Sequence, residues 1–340
     1  MAVRVGVIGT GVIGQDHIRR ITEVTPGGQV VAVADVDIPR AEQVAARLPD
    51  VRLHQTGQDL IADSDVDAVL VASWGATHEE YVLAAIAAGK RVFCEKPLAP
   101  DAEGAMRIVE AEMAAGRRLV QVGFMRRYDP AYNALKDALD AGQAGAPLLM
   151  HCAHRNPSGP PYGFTTDMII SDSAVHEIDL VRWLFDEEIA ATSVLRPRRT
   201  SKAGEGLQDP LIVLLEMASG VLVDVEVFIN AGYGYDIRAE VVAEAGTLAL
   251  ADTGEVTVTA QGRRGNRVPA NWLERFCRAF DAEFTDWLRA VATGTTTGPG
   301  SWDGYAAALV TDHCLRALST DGRVAVTMPE RPDFYAKAQE

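Results

Sequence analysis

Long uninterrupted apolar stretches are missing from this 340-residue chain, so no segment reads as a membrane-spanning helix. A basic leader and a small-residue cleavage site are missing as well: MAVRVGVIG enters a strand-like run at once, and no secretory signal is expected. Cysteine is scarce and scattered. Cys94, Cys152, Cys277 and Cys314 stand far apart without a CxxC pair, which argues against a disulfide scaffold and fits free thiols in a reducing, cytoplasmic compartment. Positive charge is the other deficit, with 32 Lys and Arg against 47 Asp and Glu and a net charge of −15. No basic run offsets it, so neither nucleic acid nor an anionic membrane is an expected partner. A negatively charged cofactor would need a local device such as a helix N-terminus.

What is present points to a two-part globular protein. Hydrophobic residues make up 48% and charged residues 23%, near the average for folded domains, and the length suits two compact units. Up to residue 123, short Val-rich runs alternate with helical patterns: Val3–Ile8, Val30–Ala34, Ala68–Ala72, Arg91–Cys94 and Leu119–Val122 read as strands, with helices over Pro39–Leu48, His78–Ala88 and Ala102–Ala115. This predicts a parallel-sheet Rossmann domain over 1–123. From 124 to 340 the pattern is α+β. Leu211–Met217 and Val221–Phe228, joined by Ala218-Ser219-Gly220, read as a hairpin in which Val223, Val225 and Val227 face a core. Tyr235–Ala243 and Thr247–Leu250 extend the series, and helices resume at about 271–292 and 305–318. The stretch Arg196–Gly206 is expected to be a mobile surface loop.

Gly9-Thr10-Gly11-Val12-Ile13-Gly14 follows the first strand and opens a helix, the setting in which a GxGxxG run cradles a pyrophosphate. Asp35 ends the second strand, 21 positions after Gly14, where a carboxylate meets the adenosine ribose hydroxyls and repels a 2′-phosphate. NAD is therefore the expected cofactor, and Arg40 would soften that choice if it folded back toward the ribose. Ligands of open α/β sheets lie past the strand ends, which brings in Ser73 and Trp74 after one strand and Glu95, Lys96 and Pro97 after another. His78, which opens the following helix, has capping as its first reading and is counted with the cofactor-side candidates. Lys96 precedes a proline that can be cis and so fix the lysine's direction.

Ser171–Phe185 reads as a helix on which Asp172, His176 and Asp179 stand at i, i+4 and i+7, a narrow polar stripe on an otherwise apolar element. A histidine with carboxylate neighbours suits general-base catalysis of alcohol oxidation, with Lys96 steadying the oxygen; a capping Asp and a satisfied core His is the alternative. His151 and His154 lie on one strand-like segment but lack a third ligand at suitable spacing, so no metal site is expected.

With these motifs in place, the chain resembles the glucose-fructose oxidoreductase / inositol dehydrogenase / MocA family over nearly its whole length. The run Glu95-Lys96-Pro97 carries the family likeness. Ser73-Trp74-Gly75, Phe124 to Asp129, His154-Arg155-Asn156 and Gly232 to Asp236 are similar to the subgroup of bacterial inositol 2-dehydrogenases. The resemblance implies a second domain with a large open, mainly antiparallel sheet that serves for substrate binding and oligomerisation, often in a homotetramer. It implies Lys96, Asp172 and His176 as catalytic residues and Arg126, His154, Asn156, Asp179 and Tyr235 as contacts to ring hydroxyls. The implied reaction is NAD-dependent oxidation of a secondary ring hydroxyl of myo-inositol, or of a similar cyclic polyol or sugar, to a ketone. A non-catalytic nicotinamide-binding sensor and a sugar oxidoreductase with tightly bound NADP are the alternatives. Pro157–Phe164, rich in Pro and Gly, is where the pocket rim is expected to depart from typical members.

Overall fold

The computed structural model describes residues 2–159, 163–251 and 256–336, so part of the Pro157–Phe164 segment, residues 160–162, lies outside the described residues. The chain divides into two compact units: one of the residues up to Met125 with Phe280–Ala308 and those from Glu330, the other of Arg126–Ala279 and Leu309–Pro329. The last two stretches of the first unit are ones that the sequence reading assigns with the rest of 124–340.

In the first unit, β1 (Val3–Ile8), β2 (Gly28–Ala34), β3 (Arg52–His54), β4 (Ala68–Val71), β5 (Arg91–Glu95) and β6 (Val120–Gly123) form one sheet in the order β3-β2-β1-β4-β5-β6. Every pairing is parallel. The crossover segments carry α1 (Val12–Arg19), α2 (Ile38–Ala45), α3 (Gly57–Ala62), α4 (His78–Ala87) and α5 (Ala102–Ala114). Local chemistry sets their ends. Asp37 caps α2 and Asp101 caps α5 by accepting from the Arg40 and Gly104 amides, while Gly89 and Gly116 close α4 and α5 in the left-handed conformation. The core joins Val5, Val7, Val33, Leu70 and Phe93 to Ile18 and Ile21 and to Phe284, Trp287 and Leu288 of the returning helix Cys277–Thr293. Each such fully buried side chain contributes about 1.5–3 kcal/mol. The strand order reverses between β1 and β4, which puts the glycine loop at a topological switch point.

In the second unit, α6 (Pro130–Asp140) precedes β7 (Pro147–Arg155), and the short α7 (Thr166–Met168) precedes α8 (Val175–Phe185). With β8 (Ile189–Leu195), β9 (Leu211–Met217), β10 (Leu222–Phe228), β11 (Asp236–Ala243), β12 (Gly246–Ala249) and the late β15 (Val324–Ala325), β7 builds a seven-stranded sheet, β12-β11-β7-β10-β9-β8-β15. All neighbours are antiparallel except β7 and β10. The β9–β10 hairpin turns at Gly220, and Val223, Val225 and Val227 are fully buried while Asp224 and Glu226 are half-exposed, as their alternation predicts. A separate pair, β13 (Thr257–Ala260) and β14 (Arg263–Asn266), forms a small hairpin.

One detail differs from the sequence expectation. The helix at 271–292 is two, Trp272–Arg275 capped by Asn271 and then Cys277–Thr293, with Phe276 outside helical geometry between them. The Arg196–Gly206 stretch closes around one guanidinium: Arg199 donates to the carbonyls of Leu207 (2.7 Å), Ala203 (2.9 Å) and Gly204.

Candidate active site

The first unit gathers the cofactor-side candidates at the carboxyl ends of its strands. Gly9 has φ +97°, and a Cβ there would lie 2.5 Å from the Ala72 carbonyl; one on Gly14 would lie 2.0 Å from the Gly9 oxygen. Both glycines are demanded by the loop's own packing. Gly11 is different, since a Cβ there would meet nothing within 4 Å. It leaves a smooth face where the backbone opens into α1, whose N-terminus has no side-chain cap and no acidic residue in its first turn. That is the donor chemistry a pyrophosphate needs. Beside it Val12 is 71% exposed, and Ile13 packs against the core.

Asp35, just past β2, accepts from the Thr10 amide (2.6 Å) and hydroxyl (2.8 Å), from the Asp37 amide (2.9 Å) and from Arg40 Nη2 (2.7 Å). Burial alone would raise its pKa, but these donors more than offset it and hold the carboxyl below its usual value. Arg40 does fold back, onto the carboxylate itself. The glycine face and the ionised Asp35 together fit a dinucleotide with a free 2′-hydroxyl.

Past β4, Ser73 Oγ lies 2.8 Å from Thr77 Oγ1 and Trp74 is 79% exposed. His78, 1% exposed, places Nδ1 2.7 Å from the Pro97 carbonyl and Nε2 3.0 Å from that of Ser73, so its ring lies between the turn after β4 and the turn after β5 and donates to one of them. Burial pushes its pKa down. The Lys96–Pro97 peptide is cis, and the Lys96 amide donates to Glu95 Oε2 at 3.3 Å.

The second unit carries the helix with the polar stripe, but it is not α-helical throughout. Residues Ile169–Ala174 form a π turn that runs into α8, so Asp172 sits in the wider turn and His176 in the first turn of the α segment. The uniform angular step assumed from sequence therefore fails before Val175, because each i→i+5 bond takes in an extra residue. π turns of this kind recur at functional sites. His176 is 8% exposed, with its ring centroid 6.3 Å from that of His154 on β7.

Behind His176 lies a buried polar cluster. Glu177 and Arg126, both 1% exposed, form an ion pair. His154 Nδ1 lies 3.1 Å from Glu177 Oε2 and 3.2 Å from Arg126 Nη2, and its Nε2 is 3.4 Å from the Tyr235 hydroxyl. Burial by itself would raise the Glu177 pKa, yet the Arg126 charge, aided by His154, holds it down to about 2. Burial likewise pushes the Tyr235 phenol up to about 12. Asp179, also 1% exposed, takes Arg127 (Nε to Oδ2 2.9 Å). Asn156, just past β7, is fixed by main-chain bonds to Phe228 (2.9 Å) and Ala231 (3.0 Å).

Arg126, His154, Asp179 and Tyr235 are thus gathered around α8, and Asn156 follows on from the strand that holds His154. Sequence reading missed Glu177 and Arg127, the charges that hold Arg126 and Asp179. A signal was available: the adjacent pair Arg126-Arg127 and the carboxylates Glu177 and Asp179, none of which is affordable in a core without a counter-charge. Among the described residues no group of three or more His, Cys, Asp and Glu is placed to hold a metal ion, and no helix is long and apolar enough to cross a membrane.

Comparison with known proteins identifies the family and the fold. Residues 3–124 match the model of the Gfo/Idh/MocA oxidoreductase family, NAD-binding Rossmann fold, and residues 136–326 match that family's C-terminal alpha/beta domain. The chain is 53% identical over 335 residues to inositol 2-dehydrogenase 3 of Saccharopolyspora erythraea, covering 98% of each chain. It is 54% identical over 334 residues to inositol 2-dehydrogenase of Acidothermus cellulolyticus, again covering 98% of each. The crystal structure of myo-inositol dehydrogenase from Lactobacillus casei in complex with NAD(H) and myo-inositol superimposes with a TM-score of 0.95 at 38% identity, covering 98% of this chain and 100% of that one. With a parallel sheet, a glycine loop and an acidic strand end in its first unit and a mixed, mostly antiparallel sheet in its second, the chain belongs to the Gfo/Idh/MocA family of NAD-binding oxidoreductases.

Proposed function

We propose that the protein oxidises one secondary ring hydroxyl of myo-inositol, or of an inositol or pyranose alike in shape, to a ketone with formation of NADH. The observation that carries this reading is the helix of Asp172 and His176, entered through a π turn and backed by the buried Arg126–Glu177–His154 cluster. The full-length likeness to inositol 2-dehydrogenases supports the substrate class.

The glycine loop Gly9–Gly14 and the start of α1 would hold the pyrophosphate, Asp35 the ribose hydroxyls, and Val12, Ile13, Ser73, Trp74, His78, Glu95 and Lys96 the remaining cofactor surface. Bound NAD would supply the acceptor for the hydride that leaves the carbinol carbon. His176 takes the hydroxyl proton as general base, Asp172 orients its ring and stabilises the imidazolium, and Lys96 donates to the oxygen as it becomes a carbonyl. Arg126, His154, Asn156, Asp179 and Tyr235 supply the polar wall that meets the other ring hydroxyls. A buried wall held in place by its own ion pairs and hydrogen bonds needs little reorganisation when the substrate arrives. The same proposal places the protein in the cytoplasm as a homotetramer, with the outer face of the seven-stranded sheet, bearing the Arg155–Glu226 and His151–Asp224 pairs, in contact between copies.

Initial rates of NADH formation across a panel of inositol isomers and aldoses test the reading. His176→Ala is expected to lose turnover while binding NADH normally by fluorescence, and Lys96→Ala to lose turnover as well. Absence of turnover with every inositol, or a wild-type rate in His176→Ala, would remove it.

A further inference from the structure

A buried file of side chains in the first unit connects the helix of the glycine loop to the strand end that carries Lys96. His17, on α1, is 0% exposed and sits among Phe93, Phe280 and Phe284, with ring centroids 6.0, 5.5 and 4.3 Å away. Its Nε2 lies 2.7 Å from Glu95 Oε1. On the other side of the ring, Nδ1 lies 3.4 Å from Nη1 of Arg20. That arginine is held by Asp16 and, at 2.7 Å, by Asp281, over the face of Phe280. A guanidinium only donates, so Nδ1 is the accepting nitrogen, and Nε2 carries the proton that Glu95 accepts.

The second oxygen of Glu95 takes the Lys96 amide at 3.3 Å. The remaining side of the carboxylate is closed by Gly123 on β6, where a Cβ would stand 3.1 Å from Glu95 Cδ and Oε2. Glu95 is therefore clamped by one side-chain donor, one main-chain donor and one backbone surface. The side-chain donor is the only one of the three that a substitution can take away without altering the turn itself.

We propose that His17 is a positioning residue for Lys96: by donating to Glu95 it fixes the carboxylate to which the lysine's main chain is bonded, and so ties the lysine to the helix that opens at the glycine loop. This rests on the reading of Lys96 as a catalytic group. Without His17, the Glu95 carboxylate, whose side chain is 10% exposed, must find another donor, and the segment bearing Lys96 moves to supply it.

The test separates positioning from general structural support. His17→Leu is expected to lower kcat about tenfold or more, the worth of a hydrogen bond to a charged group, while the Kd for NADH by fluorescence and the polyol KM change by less than about threefold. His17→Gln, which keeps an N–H donor at similar reach, is expected to recover most of the loss. If His17→Leu does not fold, Gly123→Ala decides, because it presses directly on the Glu95 carboxylate that His17 holds; a several-fold fall in kcat at unchanged NADH binding is expected. A wild-type kcat in whichever variant folds, or a fall in kcat matched by an equal loss of NADH affinity, overturns the proposal. Lys96→Ala is run in parallel: its retaining turnover would remove the reading of Lys96, whereas an inactive Lys96→Ala beside a fully active His17→Leu removes only the role of His17.

Discussion

Glu177 holds a charge where water cannot reach it, and the arrangement around it makes that charge sensitive to acid. The folded protein holds its pKa near 2, against 4.5 for an unperturbed glutamate. A depressed carboxyl stabilises the fold at pH values above its ordinary pKa, and that contribution is lost as pH falls from about 4.5 toward 2. Glu177→Gln leaves Arg126 buried without its counter-charge and should cost about 3–5 kcal/mol at neutral pH. Urea unfolding of the two proteins across that acidic window should show their midpoints converging; a gap that stays constant would mean the ion pair is not its source. Asp35 offers a second test. With Asp35→Ser the proposed ribose acceptor disappears and Arg40 is released from its bidentate partner. The kcat/KM for NAD should drop about tenfold or more and the ratio of NADP to NAD use should rise; an unchanged ratio would assign cofactor choice elsewhere. The place of Asp35 at the end of β2 was legible in the sequence because its spacing from the glycines is set by one helix and one strand. Glu177 was not, because it lies off the stripe defined by Asp172, His176 and Asp179, and only the fold reveals that Arg126 stands opposite.

Among the elements, the glycine loop separates two demands that the motif states as one. Gly14→Ala would drive a Cβ into the Gly9 carbonyl, so the variant should melt well below wild type or not fold. Gly11→Ala has φ −70° and open space around the new atom, so its melting temperature should stay near wild type while NADH binding weakens about tenfold, the methyl standing where the pyrophosphate is proposed to approach. Normal NADH affinity in Gly11→Ala would move the phosphate site off this loop. The short Val-rich strands, the hairpin at Gly220 and the helix ends at Gly89 and Gly116 could all be read from composition and spacing. Strand β8 and helix α6 were not read at all, and β7 only as a strand-like segment around His151 and His154: Pro147–Arg155 mixes His, Cys and Arg with apolar residues, because one side of it belongs to the polar cluster around His154. The π turn at Ile169–Ala174 leaves no trace in a hydrophobic pattern, since six residues cannot distinguish one helical pitch from another.

At the level of the whole molecule, the burial pattern tells which residues avoid water but not which partner covers them, and this is why two late stretches were read with the second domain. Phe93 of β5 meets Phe284 at 4.6 Å and Trp287 at 5.5 Å between ring centroids. Glu112 of α5, fully buried, is satisfied by Ser301, by the Tyr335 hydroxyl at 2.8 Å and by the amides of Leu119 and Val120. A fragment ending at residue 125 should therefore lack a cooperative melt and bind a hydrophobic dye, and grafting 280–308 onto it should restore a sharp transition. A sharp transition in the short fragment alone would show the returning segments to be dispensable.

The same discontinuity fixes an order of events during synthesis. A ribosome releases β1 to β6 early, yet the aromatic cover for them is encoded some 160 residues downstream of β6, and Tyr335 later still. Until those codons are translated, the nascent sheet must be shielded by the tunnel, by chaperones or by transient collapse, so slowing translation over the closing third of the message should lengthen its exposure to proteases more than slowing it over the first.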